Sequence, residues 1–382
     1  MDKIKIAIVG ARGIGNYGGF ETVVSELAPR FAENGYEVYC SCEKSGQCNA
    51  NLKNGVNLCY FPLPPPKSYF FRKIFEIIYD LYFILRFSIG CDIIYQLGIG
   101  GGPLLFLPRI FGNISLVNID GVEWERSKFG GIEKKLLKIL FDMSCFFSNY
   151  IVIDNRCLIN YIKSTSKYKA IYIPYGVNIH KYIPWDIDKL NSSYPEILAC
   201  DISPGEYWLA VARLEPENSI NIIVKAFLEI DARFPLIIIG GFTNDRYRIE
   251  IYELIKKSCS KNKILFMGPI YNQEILDMFR QNCLGYIHGH TVGGTNPSLL
   301  EAMIMRNIIL AHDNEFNRDV CKDSSLYFRK FDDLGRLIEN VEKNPAIYAE
   351  LKRKAYEIAN SVYSWNDVIQ LYYKHFSEFM HS

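Results

Sequence analysis

Short apolar runs that alternate with helical patterns, twice over, constrain this chain more than any other feature. In the first half, Ile4–Val9, Glu37–Cys40, Val56–Phe61, Ile93–Gln96, Ser115–Ile119, Tyr150–Ile153 and Ala170–Ile173 read as strands. Strands that are apolar on both faces and separated by helical segments pair in parallel beneath covering helices. The second half repeats the scheme with Tyr207–Val211, Leu236–Ile239, Ile264–Met267, Gly285–Ile287, Ile308–Ala311 and Ser325–Tyr327, interleaved with helices at Ile220–Ile230, Arg246–Ser258 and Gln273–Gln281. The expected fold class is therefore α/β, two doubly wound Rossmann-like domains facing a cleft, with ligands at the carboxyl ends of the strands.

The first helix shows the clearest stripe, Phe20, Val23, Val24, Leu27, Ala28 and Phe31, and Asn34-Gly35 ends it. Around Ile173-Pro174-Tyr175-Gly176 the alternation gives way to a polar stretch reaching Gly205, which reads as a linker. The expected division is residues 1–178, residues 179–362, and a last segment, 363–382. In that segment Trp365, Val368, Leu371, Tyr372 and Phe376 form an amphipathic helix that packs back on the first domain. Asp186-Ile187-Asp188 lies in the polar stretch, away from any strand end, and reads as solvated carboxylates rather than a metal pair.

A chain of 382 residues suits two such domains. Forty-three basic residues against 42 acidic ones give a net charge of +1, which removes any global electrostatic case for nucleic acid. The eleven cysteines are scattered, and Lys3-Ile4-Lys5-Ile6-Ala7-Ile8-Val9 already reads as a strand, so a reducing cytoplasm is expected. Cys40, Cys42 and Cys48 form the only cluster and lack the further ligands of a zinc site. The most apolar segment, Tyr69–Ile89, carries Arg72, Lys73, Glu76, Asp80 and Arg86, so it fits an amphipathic or buried helix better than a membrane span.

Four stretches carry chemistry. His288-Gly289-His290 through Gly293-Gly294-Thr295-Asn296-Pro297-Ser298 joins a buried strand to a helix. Backbone amides and the positive end of a helix dipole meet there, which favours a phosphate or another anion. Asn296-Pro297 suits an N-cap followed by proline at the first helical position. The plainer reading is a capping box from Ser298 to Glu301.

The loop Gly10-Ala11-Arg12-Gly13-Ile14-Gly15 ends in Gly18-Gly19 before the first helix, allowing close approach of a ligand. Its G-x-x-G-x-G spacing departs from a dinucleotide fingerprint and argues against a nicotinamide dehydrogenase. Arg213, just past a strand, can stabilise a leaving diphosphate through charge and bidentate hydrogen bonds. On the loop Ile119-Asp120-Gly121-Val122-Glu123-Trp124, Trp124 could stack on a sugar face, and Asp120 or Glu123 could bind or deprotonate a hydroxyl.

Taken in order, these stretches resemble the glycosyltransferases of family 4, the retaining GT-B group, and within it a bacterial subgroup that includes rhamnosyltransferases of capsule and cell-wall polysaccharide assembly. Ile173-Pro174-Tyr175-Gly176-Val177, Ala212-Arg213-Leu214-Glu215-Pro216-Glu217-Asn218, His312-Asp313-Asn314 and Phe316-Asn317-Arg318 share in the likeness. The resemblance implies transfer from a nucleotide-diphosphate sugar without metal ion or cofactor, to a growing glycan on a membrane lipid. The best match is L-rhamnose from deoxythymidine-diphosphate rhamnose, followed by uridine-diphosphate hexoses. A nucleotide-sugar-binding protein without turnover is the other alternative.

By the same likeness Asp120, Arg213 and His290 are the expected catalytic residues. Gly18, Gly19, Arg213, Gly294, Thr295, Asn296 and Glu301 would hold the donor, and Glu123 and Trp124 the acceptor. The family's paired glutamates fall here on Gly293 and Glu301, so one carboxylate is missing, and His290, Thr295 and Asn296 are its expected substitutes. A lysine common after the phosphate-binding arginine is Asn218, and a histidine common on the acceptor loop is Asp120. Tyr69–Ile89 and Lys134-Lys135-Leu136-Leu137-Lys138-Ile139 could rest on the anionic inner face of the membrane, although a buried core helix is the better reading of the first, and no contact with nucleic acid is expected.

Overall fold

The computed structural model describes residues 3–14, 19–44, 52–66, 68–126, 129–179, 181–194 and 202–381. The chain divides into two compact units. The first comprises Met1–Glu125, Phe129–Tyr175 and Trp365–Ser382, and the second Arg126–Lys128 and Gly176–Ser364.

The first unit is built on strands β1 (Lys5–Val9), β2 (Glu37–Cys42), β3 (Leu52–Lys53), β4 (Val56–Tyr60), β5 (Ile93–Leu97), β6 (Ile114–Asn118), β7 (Tyr150–Ile153) and β8 (Ala170–Tyr172). Their order is β3-β4-β2-β1-β5-β6-β7-β8, with β3 antiparallel to β4 and the other neighbours parallel. β1 is central, and Ile6, Ala7, Ile8 and Val9 are fully enclosed. The chain leaves β1 in one direction towards β2 and returns on its other side as β5, which makes the β1/β5 junction the topological switch point.

Gly10 sits at that junction with φ +96°, where an added Cβ would stand 2.2 Å from the Leu97 carbonyl oxygen. Only glycine fits so close an approach of two strand ends. The helix Gly19–Glu33 buries Val23, Val24, Leu27, Ala28 and Phe31 on this sheet. Gly35, at φ +91°, ends it, with the Tyr36 amide returning to the Phe31 carbonyl.

The last helix, Trp365–His381, belongs to this unit. Trp365, Val368, Tyr372 and Phe376 enter its core, Phe376 packs 5.2 Å from Phe31, and the Tyr373 hydroxyl donates to the Arg30 carbonyl at 2.7 Å. The Tyr372 and Tyr95 hydroxyls share a buried hydrogen bond of 2.7 Å.

Two helices of the first unit keep apolar residues on the outside. On Tyr69–Ser88, Phe71, Ile74, Ile78 and Leu85 follow one face and are exposed, while Phe75, Tyr79 and Phe83 turn inward. On Gly131–Phe147, Ile132, Leu136, Ile139 and Phe146 do the same. The short helix Phe106–Ile110 packs against the first of these, and its Phe106 meets Phe147 of the other at 5.6 Å. No helix among the described residues is long and apolar enough to cross a membrane.

The second unit has strands β9 (Trp208–Val211), β10 (Leu236–Ile239), β11 (Ile264–Phe266), β12 (Gly285–His288), β13 (Ile308–His312) and β14 (Leu326–Phe328), in the order β11-β10-β9-β12-β13-β14 and all parallel. Its switch point lies between β9 and β12. At the next junction Gly240, φ +150°, passes so near Ala212 that a Cβ would stand 1.8 Å from its carbonyl oxygen.

Within the polar stretch before β9, residues 181–194 carry structure of their own. Asp186 caps the helix Ile187–Ser193 by accepting from the Lys189 amide at 2.9 Å, Leu190 is fully buried, and Trp185 packs on Tyr207 and Phe279. These apolar anchors outweigh the surrounding polar composition and fix the segment to the second unit.

Candidate functional site

The loops that leave β9 and β12 meet at the switch point of the second unit. From β9 come Arg213, Glu215, Glu217 and Asn218, and from β12 come His290, Thr291 and the glycine turn. The Thr291 amide and hydroxyl both donate to the Glu217 carbonyl, at 2.8 and 3.0 Å. The Asn218 amide group donates to the Arg213 carbonyl at 2.7 Å and faces His290 Nδ1 with its oxygen at 2.8 Å. Gly289 permits this closeness, since a Cβ there would stand 2.2 Å from the Asn218 carbonyl oxygen. From the far side, Asn314 and Asn317 each donate to the His290 carbonyl at 2.9 Å.

The glycine turn then enters the helix Pro297–Ile304, whose N-cap is Asn296, accepting from the Ser298 amide at 3.0 Å. The capping box from Ser298 to Glu301 does not form. The Ser298 hydroxyl lies 2.6 Å from the Tyr286 hydroxyl and donates to the Val211 carbonyl, which ties the helix start to the end of β9. Glu301 pairs at 2.5 Å with Arg280, a side chain only 3% exposed that also lies 3.7 Å from Asp277. One carboxylate oxygen of Glu301 is thereby held while a quarter of its side chain stays accessible.

Arg213 is the accessible cation of the loop pair, its side chain 57% exposed and 3.7 Å from Glu215. Its charge reaches His290. Burial first, then the Arg126 and Arg213 guanidinium groups, push the His290 imidazole down to about 3, against smaller opposing effects of Glu217 and the Val292 carbonyl. Burial also drives His288 well below 6.5, and its Nε2 has no hydrogen-bond partner among the described residues. His312 is lowered too, again chiefly by burial.

All three histidines are therefore held neutral in the fold and titrate near 6.5 when unfolded. Their contribution to stability is complete above about pH 6.5 and is lost as the pH falls towards the lowered folded values, more for His288 and His290 than for the partly exposed His312. The melting temperature is expected to drop between pH 6.5 and 4.5, and less steeply in His288→Gln, which cannot take up that proton. Parallel melting curves for the two proteins would refute the assignment to His288.

In the first unit, Gly19 opens the helix after β1 with clear space where a Cβ would be, and Gly18 lies outside the described residues. Asp120 follows β6 with φ +56°, an uncommon conformation for a non-glycine residue, and its amide donates to Asn118 at 2.9 Å. Asn118 in turn donates to the Tyr95 hydroxyl that meets Tyr372, so the last helix supports the base of this loop. Glu123 begins a short 3-10 turn and is half-buried.

Trp124, the expected platform for a sugar, stands among core side chains. It is 9% exposed, lies edge-on to Phe141 at 4.6 Å, and carries the Lys138 ammonium 4.4 Å above its ring. The indole carries a cation over its ring and packs edgewise into the core beneath the helix Gly131–Phe147.

Sequence reasoning passed over the run Gly98-Ile99-Gly100-Gly101-Gly102 after β5, although a glycine run behind a strand is a legible signal. Added Cβ atoms at Gly101 and Gly102 would collide with Gln96 and Ser144. Asp80 lies against the same run, pushed up to about 7 mainly by burial. Cys40 and Cys42 are buried free thiols, Cys48 lies outside the described residues, and no cluster of metal-ligating side chains occurs among those described.

Comparison with known proteins fits this geometry. Two Rossmann-like α/β units of this kind make the GT-B architecture. The chain is similar to sucrose-phosphate synthase from Thermosynechococcus elongatus, with a TM-score of 0.81, 14% identity, and 100% of each chain covered. It is similar to Anabaena Alr3699/HepE in complex with UDP, with a TM-score of 0.76, 14% identity, 99% of this chain and 100% of the other. A glycosyltransferase from Rickettsia africae gives a TM-score of 0.73 at 15% identity over 100% and 99%.

More particularly, residues 203–358, which hold the β9 and β12 loops, match the family described as glycosyl transferases group 1. Residues 3–178 match one described as a domain of unknown function, DUF1972. No curated protein sequence matches the chain. The chain has the GT-B fold, and its second unit is similar to the glycosyl transferases of group 1.

Proposed function

We propose that the protein transfers a sugar from a nucleoside-diphosphate donor to a growing surface polysaccharide carried on a lipid. The observation that carries this reading is the joining of the β9 and β12 loops at a switch point. An accessible arginine, a glycine turn into a helix N-terminus and a pinned carboxylate lie there together. Arg213 and the amides around Gly294, Thr295 and Asn296 take the diphosphate, and Glu301 the ribose hydroxyls. Charge grows on the leaving oxygen as the glycosidic bond breaks, and donors already in place stabilise it without reorganisation. Asp120 and Glu123 serve the acceptor hydroxyl, which enters from the face the diphosphate leaves, with retention of configuration.

A uridine-diphosphate hexose is the better supported donor, because the similar Anabaena protein is recorded with UDP and with UDP-glucose. Deoxythymidine-diphosphate rhamnose is favoured by the subgroup resemblance alone. A thermal-shift panel of nucleotide sugars separates the two, since a ligand that binds only the folded chain raises its melting temperature. A radiolabelled product assay with the selected donor then separates transfer from binding without turnover. Absence of any shift across the panel would overturn the reading.

The exposed apolar faces of Tyr69–Ser88 and Gly131–Phe147, with Lys134 and Lys135 on the second helix, support docking of the first unit on an anionic lipid surface. The protein is expected to sediment with phosphatidylglycerol vesicles at low salt, and the variant carrying Ile78→Glu and Ile139→Glu is expected to stay in solution. No sedimentation of the unaltered protein would remove the membrane contact.

A further inference from the structure

We propose that Asn218 is a positioning residue: it locks His290 as the Nδ1–H tautomer, so that Nε2, beside Gly293, accepts a hydrogen bond from a hydroxyl of the bound donor sugar. The inference rests on the reading of the β12 loop as the donor site and adds to it the proton placement of its central side chain. The Asn218 amide can be oriented in one way only. Its NH2 group lies 2.7 Å from the Arg213 carbonyl oxygen, which can only accept. The carboxamide oxygen must then face His290 Nδ1 at 2.8 Å, and that oxygen also can only accept. Nδ1 therefore carries the hydrogen, and in a neutral imidazole the other nitrogen is left with its lone pair.

Three further features hold this arrangement. Burial and the Arg126 and Arg213 guanidinium groups keep the ring neutral against the smaller opposing effects of Glu217 and of the Val292 carbonyl, which competes for the ring hydrogen. The His290 carbonyl is fixed by Asn314 and Asn317, so the ring is anchored through its backbone as well as through Nδ1. Gly293 leaves the space at the other end. Its φ of +136° is strained for any L side chain, and an added Cβ would stand 3.0 Å from Nε2. The result is a neutral, oriented acceptor, preorganised for a hydroxyl.

The ring nitrogens can be read directly in the full chain by 15N spectra of labelled histidine, with His290 assigned through the loss of its signals in His290→Gln. The expected result at pH 7 is a protonated Nδ1 and a bare Nε2, unchanged on lowering the pH to 5. In Asn218→Leu the ring is expected to shift towards the Nε2–H form, and kcat/KM with UDP-glucose, or with deoxythymidine-diphosphate rhamnose if only that donor turns over, to fall about tenfold to a hundredfold.

An Nε2–H or charged ring in the unaltered protein overturns the proposal without any variant having to fold. So does an Asn218→Leu protein with unchanged tautomer and unchanged kcat/KM. Unchanged kcat/KM in His290→Gln overturns the sugar contact, and with it the reading of this loop as the donor site. A loss in His290→Gln beside an unaffected Asn218→Leu leaves that reading standing and overturns the positioning role alone.

Discussion

Arg213→Ala is expected to lower single-turnover transfer from the correct donor by about a hundredfold or more, the scale on which preorganised charge-stabilising groups act. Arg213 stands at the carboxyl end of β9, directly beside the switch point, and its guanidinium is more exposed than paired, with Glu215 at 3.7 Å. Its backbone carbonyl is held by Asn218, so the side chain leaves from a fixed base. A planar fork can meet two diphosphate oxygens at once, which a lysine cannot do, so Arg213→Lys is expected to fall between the unaltered protein and the alanine variant. An exposed side chain contributes little to the core, so the melting temperature of both variants should stay close to that of the unaltered protein. Unchanged turnover in Arg213→Ala would remove the phosphate assignment.

Arg280→Met is expected to produce the largest loss of stability of any single side chain near the site, on the order of 3–5 kcal/mol. Arg280 is almost wholly enclosed and stands between Glu301 at 2.5 Å and Asp277 at 3.7 Å, Asp277 itself being 4% exposed. Removing the cation leaves the buried Asp277 carboxylate and the partly buried Glu301 without their shared partner, with the desolvation cost no longer offset. Denaturant unfolding of the full chain reads this as an earlier transition of the second unit. The donor is expected to bind more weakly as well, because the Glu301 carboxylate loses the contact that orients it. A change below about 1 kcal/mol would mean that water already screens the trio, as it does an exposed pair.

The local parts of this architecture were legible because they depend on neighbours in the chain. β7 and β10 run over Tyr150–Ile153 and Leu236–Ile239, the same residues that apolar periodicity marks out. The Asn296-Pro297 cap and the Gly35 stop obey rules that involve only adjacent residues. The stripe of the last helix was equally plain, since its period is visible within four turns. Two-residue β3 carried too little pattern to be seen, and the helix Ile187–Ser193 in the polar run before β9 was hidden because composition there opposes a few buried anchors.

What depends on strand order was not legible. The placement of β12 beside β9 joins Asn218 to His290 across 72 positions of sequence, and the same fold brings Arg280 under Glu301. No periodicity carries that information, because parallel neighbours are separated by crossovers whose length does not specify which strand they rejoin. Trp124 shows the converse: a loop indole that looked outward in sequence was turned inward by a helix packed over it. Sequence alone determined that this chain makes two parallel-stranded units, and which loops of glycine, arginine and histidine stand at their strand ends. Only the tertiary structure decided which of those loops meet, since the hydrogen bonds that fix a side chain's orientation and proton come from residues that strand order, not chain proximity, brings together.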